Sequence, residues 1–193
     1  ILQSDSTLPF EQHRDIFYLS GIDQEESILV LFPDSKKNSF KEMLFIRETN
    51  DHITHWEGEK LTKEKAKDIS GINNIYWTNE FENILIQIIK QSNNVYINPN
   101  EHYRQNVETQ TREDRFIIDC KKKFPAHKSE KSNPILQKLR SIKSNEEISQ
   151  IQTACDITEK GFRRILNYVK PGLWEYEIEA EFSHEFIKNK SKG

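Results

Sequence analysis

The stretch ILVLFPDSKKNSFKEMLFI, residues 28–46, contains two short apolar runs separated by a polar segment that begins at Pro33. Residues 28–32 predict a buried strand that Pro33 and Asp34 end, and residues 43–46 predict a second strand. Apolar runs of this length are far too short to span a bilayer. The stretch therefore predicts two buried strands and argues against a membrane segment.

Downstream of this stretch, helical and strand patterns alternate along the first two-thirds of the chain. The predicted elements are helices over residues 62–70, 79–91 and 111–123 and strands over residues 75–77 and 95–97. Thr62 and Asn79 are the predicted N-caps of the first two helices, and Gly71 ends the first. Phe116 and Ile117 are expected to face the core from the third helix. Strands that alternate with helices favour an α/β layer fold.

Residues 121–131, KKKFPAHKSEK, carry five Lys and one Glu around a proline. A basic run of this kind can touch phosphate, but a solvated connector is the favoured interpretation. The segment therefore predicts a linker that ends an N-terminal α/β domain, residues 1–131. The remaining residues, 132–193, form a second part in which the alternation stops.

This C-terminal part has the pattern of consecutive helices. Pro134 begins a short helix, and Ser144 with Glu147 forms a capping box for a longer helix that Pro171 ends. The apolar stripe of the longer helix consists of Ile148, Ile151, Cys155, Thr158, Phe162, Ile165 and Val169. A last helix is predicted over residues 175–189. Helices without a sheet of their own need a partner for their apolar faces, so we expect this part to begin a larger domain.

The composition limits the classes of protein that the chain can represent. Its 193 residues carry 28 basic and 31 acidic groups, a net charge of −3, which excludes a generic polycation for nucleic acid and gives no signature for an anionic membrane. The 11 Phe, 6 Tyr and 3 Trp residues are enough for a core and argue against wholesale disorder. Cys120 and Cys155 are too few for a disulfide framework or a four-Cys zinc site. Two free thiols suit a reducing cytosol, which predicts a cytoplasmic protein.

One group of metal-ligating side-chain types lies at His52, His55, Glu57 and Glu59. In a strand, the three-residue spacing of the two His places them on opposite faces, so surface polar residues are favoured over a zinc site. Cys120 lies beside three Lys residues that can lower the pKa of its thiol. No nearby His suggests a Cys–His pair, and an inert thiol is favoured over a reactive one.

Glu181 and His184 have the Glu-x-x-His spacing of di-iron bundle proteins. Such sites need a second copy of the motif and further carboxylates, and only one copy is present. The neighbouring acidic residues alternate along a predicted helix, so they spread around its surface and favour its N-terminus electrostatically. The sequence also lacks a Gly-rich phosphate loop and a Gly-x-Ser-x-Gly nucleophile motif. The residues alone therefore define no self-contained active site.

A series of short motifs runs through both parts of the chain in a consistent order and spacing. In the first part they are Pro9-Phe10, Gln12, residues 15–18, Gly21-Ile22, residues 28–32 and Trp56-Glu57-Gly58. In the second part they are residues 139–144, Glu147-Ile148, Ala154, Ile157, Pro171-Gly172, Glu175 and residues 177–180. Together these motifs resemble the N-terminal domain of aminopeptidase P, or Xaa-Pro aminopeptidase, in the creatinase/prolidase superfamily, followed by the first helices of the family's pita-bread catalytic domain. Residues 23–27 and 184–186 resemble the bacterial aminopeptidase P rather than prolidase.

The resemblance implies an α/β fold in which a mixed sheet flanked by helices, residues 1–131, precedes the helical start of a pita-bread domain, residues 132–193. It implies a metalloaminopeptidase that releases the N-terminal residue before a proline. In the family, two divalent metal ions, usually manganese, are held by two Asp, one His and two Glu and activate a bridging hydroxide. Those ligands are expected after Gly193, so no catalytic or metal-binding residue is expected in this chain, which alone should be inactive. The opening strand of the family domain is also expected to be missing.

Two positions depart from the family pattern. Glu11 stands where an Arg is common in the family, and Asn133 stands where an Arg often reaches toward the active site. These departures put substrate contacts from both positions in question.

Trp56 resembles a family Trp with which one subunit lines the active site of its neighbour. From the residues alone, an exposed aromatic side chain and a Trp buried against an edge strand are equally supported. The resemblance further implies a proline-containing peptide as substrate and a homo-oligomer built through the N-terminal domain, with no nucleic acid or membrane partner. Two alternatives are a pita-bread protein without metal that binds peptides or histones, and a sibling enzyme such as prolidase or creatinase.

Overall fold

The computed structural model describes residues 10–50, 53–55, 58–99 and 110–191, and its backbone divides into two compact units, Ile1–Leu136 and Gln137–Gly193.

Among the described residues, three strands form the first sheet of the N-terminal unit. The strands of this sheet are β1 (Ile28–Leu31), β2 (Glu42–Ile46) and β3 (Ile75–Trp77). The central strand, β2, pairs antiparallel with β1 and parallel with β3. The sheet is therefore mixed, as predicted.

The core of this unit lies on both faces of β2. Leu44 and Ile46 face one apolar cluster, and Met43 and Phe45 face the other. The other buried members are Ile22, Ala66 and Ile72 on the first face and Phe40 and Ile88 on the second. Because alternate residues of a strand point to opposite faces, one run of four apolar residues fills both clusters. This is why β2 is buried almost throughout, whereas β1 at the sheet edge is only partly buried.

Four helices of the same unit lie entirely within the described residues. They are α1 (Arg14–Ser20), α2 (Lys63–Ser70), α3 (Phe81–Ile89) and α4 (Arg112–Lys123). The predicted ends of α2 are confirmed, because the Thr62 hydroxyl accepts a hydrogen bond from the Lys65 amide at 3.2 Å and Gly71 caps the C-terminus. α4 lies within the predicted helix over residues 111–123, and Thr111, its N-cap, forms a capping box with Asp114.

The side chains of α4 follow the prediction in part. Ile117 is buried, as expected, and Cys120 is buried beside it on the same helix. Phe116 is 38% exposed, so the expectation that it faces the core is wrong. Its ring nevertheless lies 5.9 Å from the ring of Phe81, at the margin of the second cluster. Adjacent residues of a helix lie about 100° apart, so the two cannot both point fully inward.

The start of α3 differs from the prediction. A short 3₁₀ turn, Thr78–Glu80, precedes the helix, and the Glu80 carboxylate accepts a hydrogen bond from the Trp77 amide at 2.9 Å. The side chain of Asn79 instead donates to the Glu48 carboxylate at 3.1 Å. Asn79 is therefore not the N-cap, because a carboxylate one residue later satisfies the first free backbone amide.

The Lys-rich segment contains a strand, so the prediction of a solvated linker is wrong for residues 128–131. β5 (Lys128–Lys131) pairs in parallel with β4 (Asn94–Ile97) in a second sheet. Strand pairing uses backbone N–H and C=O groups, which every residue of β5 provides whatever its side chain. Three of the four β5 side chains are exposed, so the segment has no apolar pattern that would have indicated a strand.

Two helices dominate the second unit, α6 (Asn145–Tyr168) and α7 (Glu175–Lys188), and α5 (Asn133–Ser141) precedes them along the chain. All three agree with the predicted helices. The Ser144 hydroxyl accepts from the Glu147 amide at 3.2 Å, and the Glu147 carboxylate accepts from the Ser144 amide at 2.7 Å, which confirms the capping box. No helix in the described part of the chain is long and apolar enough to cross a membrane.

α6 and α7 pack closely where Gly161 meets the ring of Phe182. A Cβ placed on Gly161 would lie 2.5 Å from that ring, so only glycine leaves room for it. The Phe182 ring also lies 5.2 Å from Phe162 and 4.9 Å from Phe186. Much of the predicted stripe on α6 stays exposed: Ile148, Ile151, Cys155, Phe162 and Val169.

Candidate functional site

The proposed rim residue, Trp56, lies outside the described residues, as do His52 and Glu57. The other two members of that polar group, His55 and Glu59, are exposed. Across the described ranges, no three His, Cys, Asp or Glu side chains lie together in a way that could hold a metal ion. The structure therefore bears on this position only through the described residues that follow Trp56 in the sequence.

The segment that follows Trp56 begins at a residue with an unusual backbone conformation. Gly58 has a φ of +82°, in the left-handed region that favours glycine, and no atom lies within 4 Å of the position a Cβ would take. Glycine is therefore favoured at this position by the backbone and not by lack of space.

Two consecutive residues of a distant turn hold the other end of this segment. The Leu61 amide donates to Gln24 Oε1 at 2.7 Å, and Lys60 Nζ lies 2.5 Å from Glu25 Oε1. Both partners belong to residues 23–27, which we call the acidic turn. One contact holds the backbone amide of Leu61 and the other holds the side chain of Lys60. Together they fix the position of the chain just before α2.

The charges around Glu25 make this contact strong. Arg47 Nη1 lies 3.3 Å from the same carboxylate oxygen as Lys60. The side chains of Lys60 and Glu25 are 12% and 30% exposed, so the pair is largely shielded from water. Burial raises the pKa of Glu25, but the hydrogen bond from Lys60 and the charges of Lys60 and Arg47 outweigh it and lower the pKa below its ordinary value. The carboxylate is thus held ionised between two cations.

The acidic turn is itself held in place. Gln24 is buried, and its carbonyl oxygen accepts hydrogen bonds from Gln12 Nε2 and from the Ser27 hydroxyl, both at 2.8 Å. Glu26 has a left-handed φ of 57°, and its carboxylate lies 3.2 Å from Arg112 Nη1 at the start of α4. Gln24 and Glu25 therefore both contact the segment before α2, Glu25 also contacts Arg47, and Glu26 contacts the start of α4, which makes the turn a junction within the first unit.

The Glu-x-x-His motif of α7 forms an ion cluster with α6. Arg164 Nε donates to Glu181 at 2.6 Å, and its Nη1 donates to Glu185 at 3.2 Å. His184 Nδ1 lies 3.7 Å from Glu185 Oε1. Burial raises the pKa of Glu185, but Lys188, Arg164 and His184 together lower it below its ordinary value. A guanidinium occupies the position between the two carboxylates, so these residues do not fit a metal ion.

Cys120 has the environment of an inert thiol. It is buried, and burial raises the pKa of its thiol, an effect that Lys123 opposes and Asp119 reinforces. The expectation that the neighbouring Lys residues can activate it is therefore outweighed by desolvation.

The contacts of the acidic turn and of Arg164 were not predicted from the sequence. Lys60 and Glu25 are separated by 35 positions, and no local spacing relates them. Glu181 and Glu185 lie one turn apart on α7, which would have indicated a shared partner. That the partner is Arg164 on the preceding helix depends on how the two helices cross.

Comparisons with known proteins agree with this architecture. Residues 1–96 match the family model for the aminopeptidase P, N-terminal domain. The chain is 29% identical over 186 residues to the Xaa-Pro aminopeptidase of Haemophilus influenzae, covering 96% of this chain and 40% of that protein. A Bacillus anthracis protein assigned to aminopeptidase P has a solved structure that superposes with a TM-score of 0.85 at 27% identity, covering 97% of this chain and 44% of that one. Aminopeptidase P from Escherichia coli has the same fold, with a TM-score of 0.81 at 24% identity and coverage of 98% and 43%.

These findings define the class of protein: an α/β domain of the aminopeptidase P N-terminal type, followed by helices. Along most of its length the chain is similar to Xaa-Pro aminopeptidases, which are hydrolases. It spans about two-fifths of the length of the curated relatives that it matches.

Proposed function

We propose that this chain is the N-terminal part of a metal-dependent Xaa-Pro aminopeptidase that releases the N-terminal residue preceding a proline. The observation that carries the proposal is the match with the Haemophilus influenzae Xaa-Pro aminopeptidase along 96% of the chain. The superposition on the Bacillus anthracis structure supports it, because it covers 97% of the chain and so includes helices beyond the N-terminal domain.

In this proposal, residues 1–193 contribute surface rather than the catalytic centre. They supply the contacts of a homo-oligomer and, through Trp56, the rim of a substrate site. A Trp side chain can pack on a proline ring at little entropic cost, since only two torsions are frozen. Gly58, two positions after Trp56 in the sequence, has a left-handed backbone conformation, which is compatible with this role.

The full-length protein is proposed to act on a proline-containing peptide in the cytoplasm, with two divalent metal ions, manganese by preference, and without nucleic acid or membrane partners. Such ions supply an activated water-derived nucleophile for attack on the peptide carbonyl. The Arg164 cluster does not fit them, and we assign no metal ligand and no catalytic residue to this chain.

The test compares the full-length protein with residues 1–193 alone, each assayed with manganese on a peptide whose second residue is proline. We expect turnover by the full-length protein and none above a metal-only blank by the shorter chain. Binding of the peptide without hydrolysis by the full-length protein would favour the metal-free binding module. Hydrolysis limited to Xaa-Pro dipeptides would favour prolidase. Turnover by residues 1–193 would contradict the assignment of the catalytic centre.

The rim role of Trp56 has its own test in the full-length protein. Trp56→Ala is expected to lower kcat/KM on proline peptides while the melting transition is retained. If Trp56 is instead buried in its own domain, the cavity should destabilise the fold by roughly 3–5 kcal/mol. A lost melting transition, or unchanged kcat/KM on short and long peptides alike, would show that the rim role is wrong.

A further inference from the structure

We draw no further inference here: the strongest candidate, the surface patch of exposed apolar side chains on α6 and α7 of the second unit, which includes Phe162, Leu166 and Ile187, supports none because nothing in the structure shows what covers it.

Discussion

At the scale of single residues, two side-chain environments in the second unit decide how α6 and α7 fit together. Gly161 allows the ring of Phe182 to approach the backbone of α6, and Arg164 pairs with carboxylates of α7 one turn further along. Neither contact is a matter of hydrophobic pattern. The first depends on the absence of a side chain at Gly161, and the second depends on the direction of the long Arg164 side chain. Substitutions at these two positions therefore test directly how α6 and α7 cross.

Gly161→Ala is expected to destabilise the second unit, although alanine is ordinarily better than glycine in a helix by about 1 kcal/mol. The new Cβ would lie 2.5 Å from the Phe182 ring, and that ring is held between Phe162 and Phe186. Overpacking of this kind costs about 1–3 kcal/mol, so the net effect should be a lower urea midpoint by circular dichroism.

The control for this substitution shrinks the ring. In a Phe182→Leu background the steric conflict is relieved, and Gly161→Ala should become neutral or stabilising. If Gly161→Ala raises the midpoint in the wild-type background, the close approach of the two helices is contradicted.

The Glu185 carboxylate should make the second unit sensitive to acid. Its pKa in the folded protein lies below the ordinary value of 4.5, so the folded state binds fewer protons than the unfolded chain as the pH falls past that value. The stabilisation is therefore present above pH 4.5 and is lost as the pH falls through the folded pKa. Glu185→Gln should lower the urea midpoint at neutral pH. In acid, the difference in urea midpoint between this variant and the wild type should become smaller. An equal difference in urea midpoint at neutral and acidic pH would show that this carboxylate does not contribute to the acid sensitivity.

At the scale of elements, the helices of both units begin with side chains that satisfy the first free backbone amides. Thr62, Thr111 and Ser144 each accept a hydrogen bond from an amide three residues later. The sequence predicts the caps at Thr62 and Ser144 because a cap is a local feature, whereas at Thr111 it predicts only the start of a helix. The predicted cap at Asn79 shows the limit of such local reasoning, because the Asn79 side chain instead donates a hydrogen bond to Glu48 on another segment.

Ser144→Ala should destabilise α6 by about 1 kcal/mol, because the Glu147 amide loses its acceptor at the helix start. Hydrogen exchange resolved along α6 is the suitable measurement, and the first turn should lose protection before the centre of the helix. Ser149→Ala, an exposed position within the same helix, is the matched control and should be neutral or slightly stabilising. Equal effects of the two substitutions would show that the capping box contributes nothing.

At the scale of the whole molecule, the second unit leaves large apolar side chains in contact with solvent. Leu166 and Ile187 are each 73% exposed, and Phe162 and Trp174 are more than half exposed. Contiguous apolar surface on a folded chain tends to find a partner. The described helices have the amphipathic pattern of elements that normally pack against further structure.

Residues 1–193 in isolation are therefore expected to self-associate. Sedimentation equilibrium over a range of concentrations should show species larger than a monomer, and Leu166→Lys with Ile187→Lys should shift the equilibrium toward the monomer. Lys188→Glu changes the charge next to Ile187 without removing apolar surface, so this variant should not shift the equilibrium toward the monomer. A strictly monomeric wild-type chain at the highest concentration would contradict the prediction.

The elements whose causes are local can be predicted from the sequence alone. The apolar run at residues 43–46 predicts a strand, which the structure confirms as β2, and the caps at Thr62 and Ser144 predict where helices begin. The order of short motifs also predicted the family, which the comparisons confirm. Each of these signals comes from residues that are close together in the sequence, because strand alternation and helix capping act over a few positions.

Which distant groups meet depends on the tertiary structure. The polar sequence of β5 predicts a linker, and this prediction is wrong because the pairing of β5 with β4 depends on backbone groups that carry no sequence signal. Lys60 meets Glu25, and Arg164 meets Glu185, across separations that no local period relates. The geometry of an ion pair depends on where whole elements are packed, and that packing is the sum of many weak contacts along the chain.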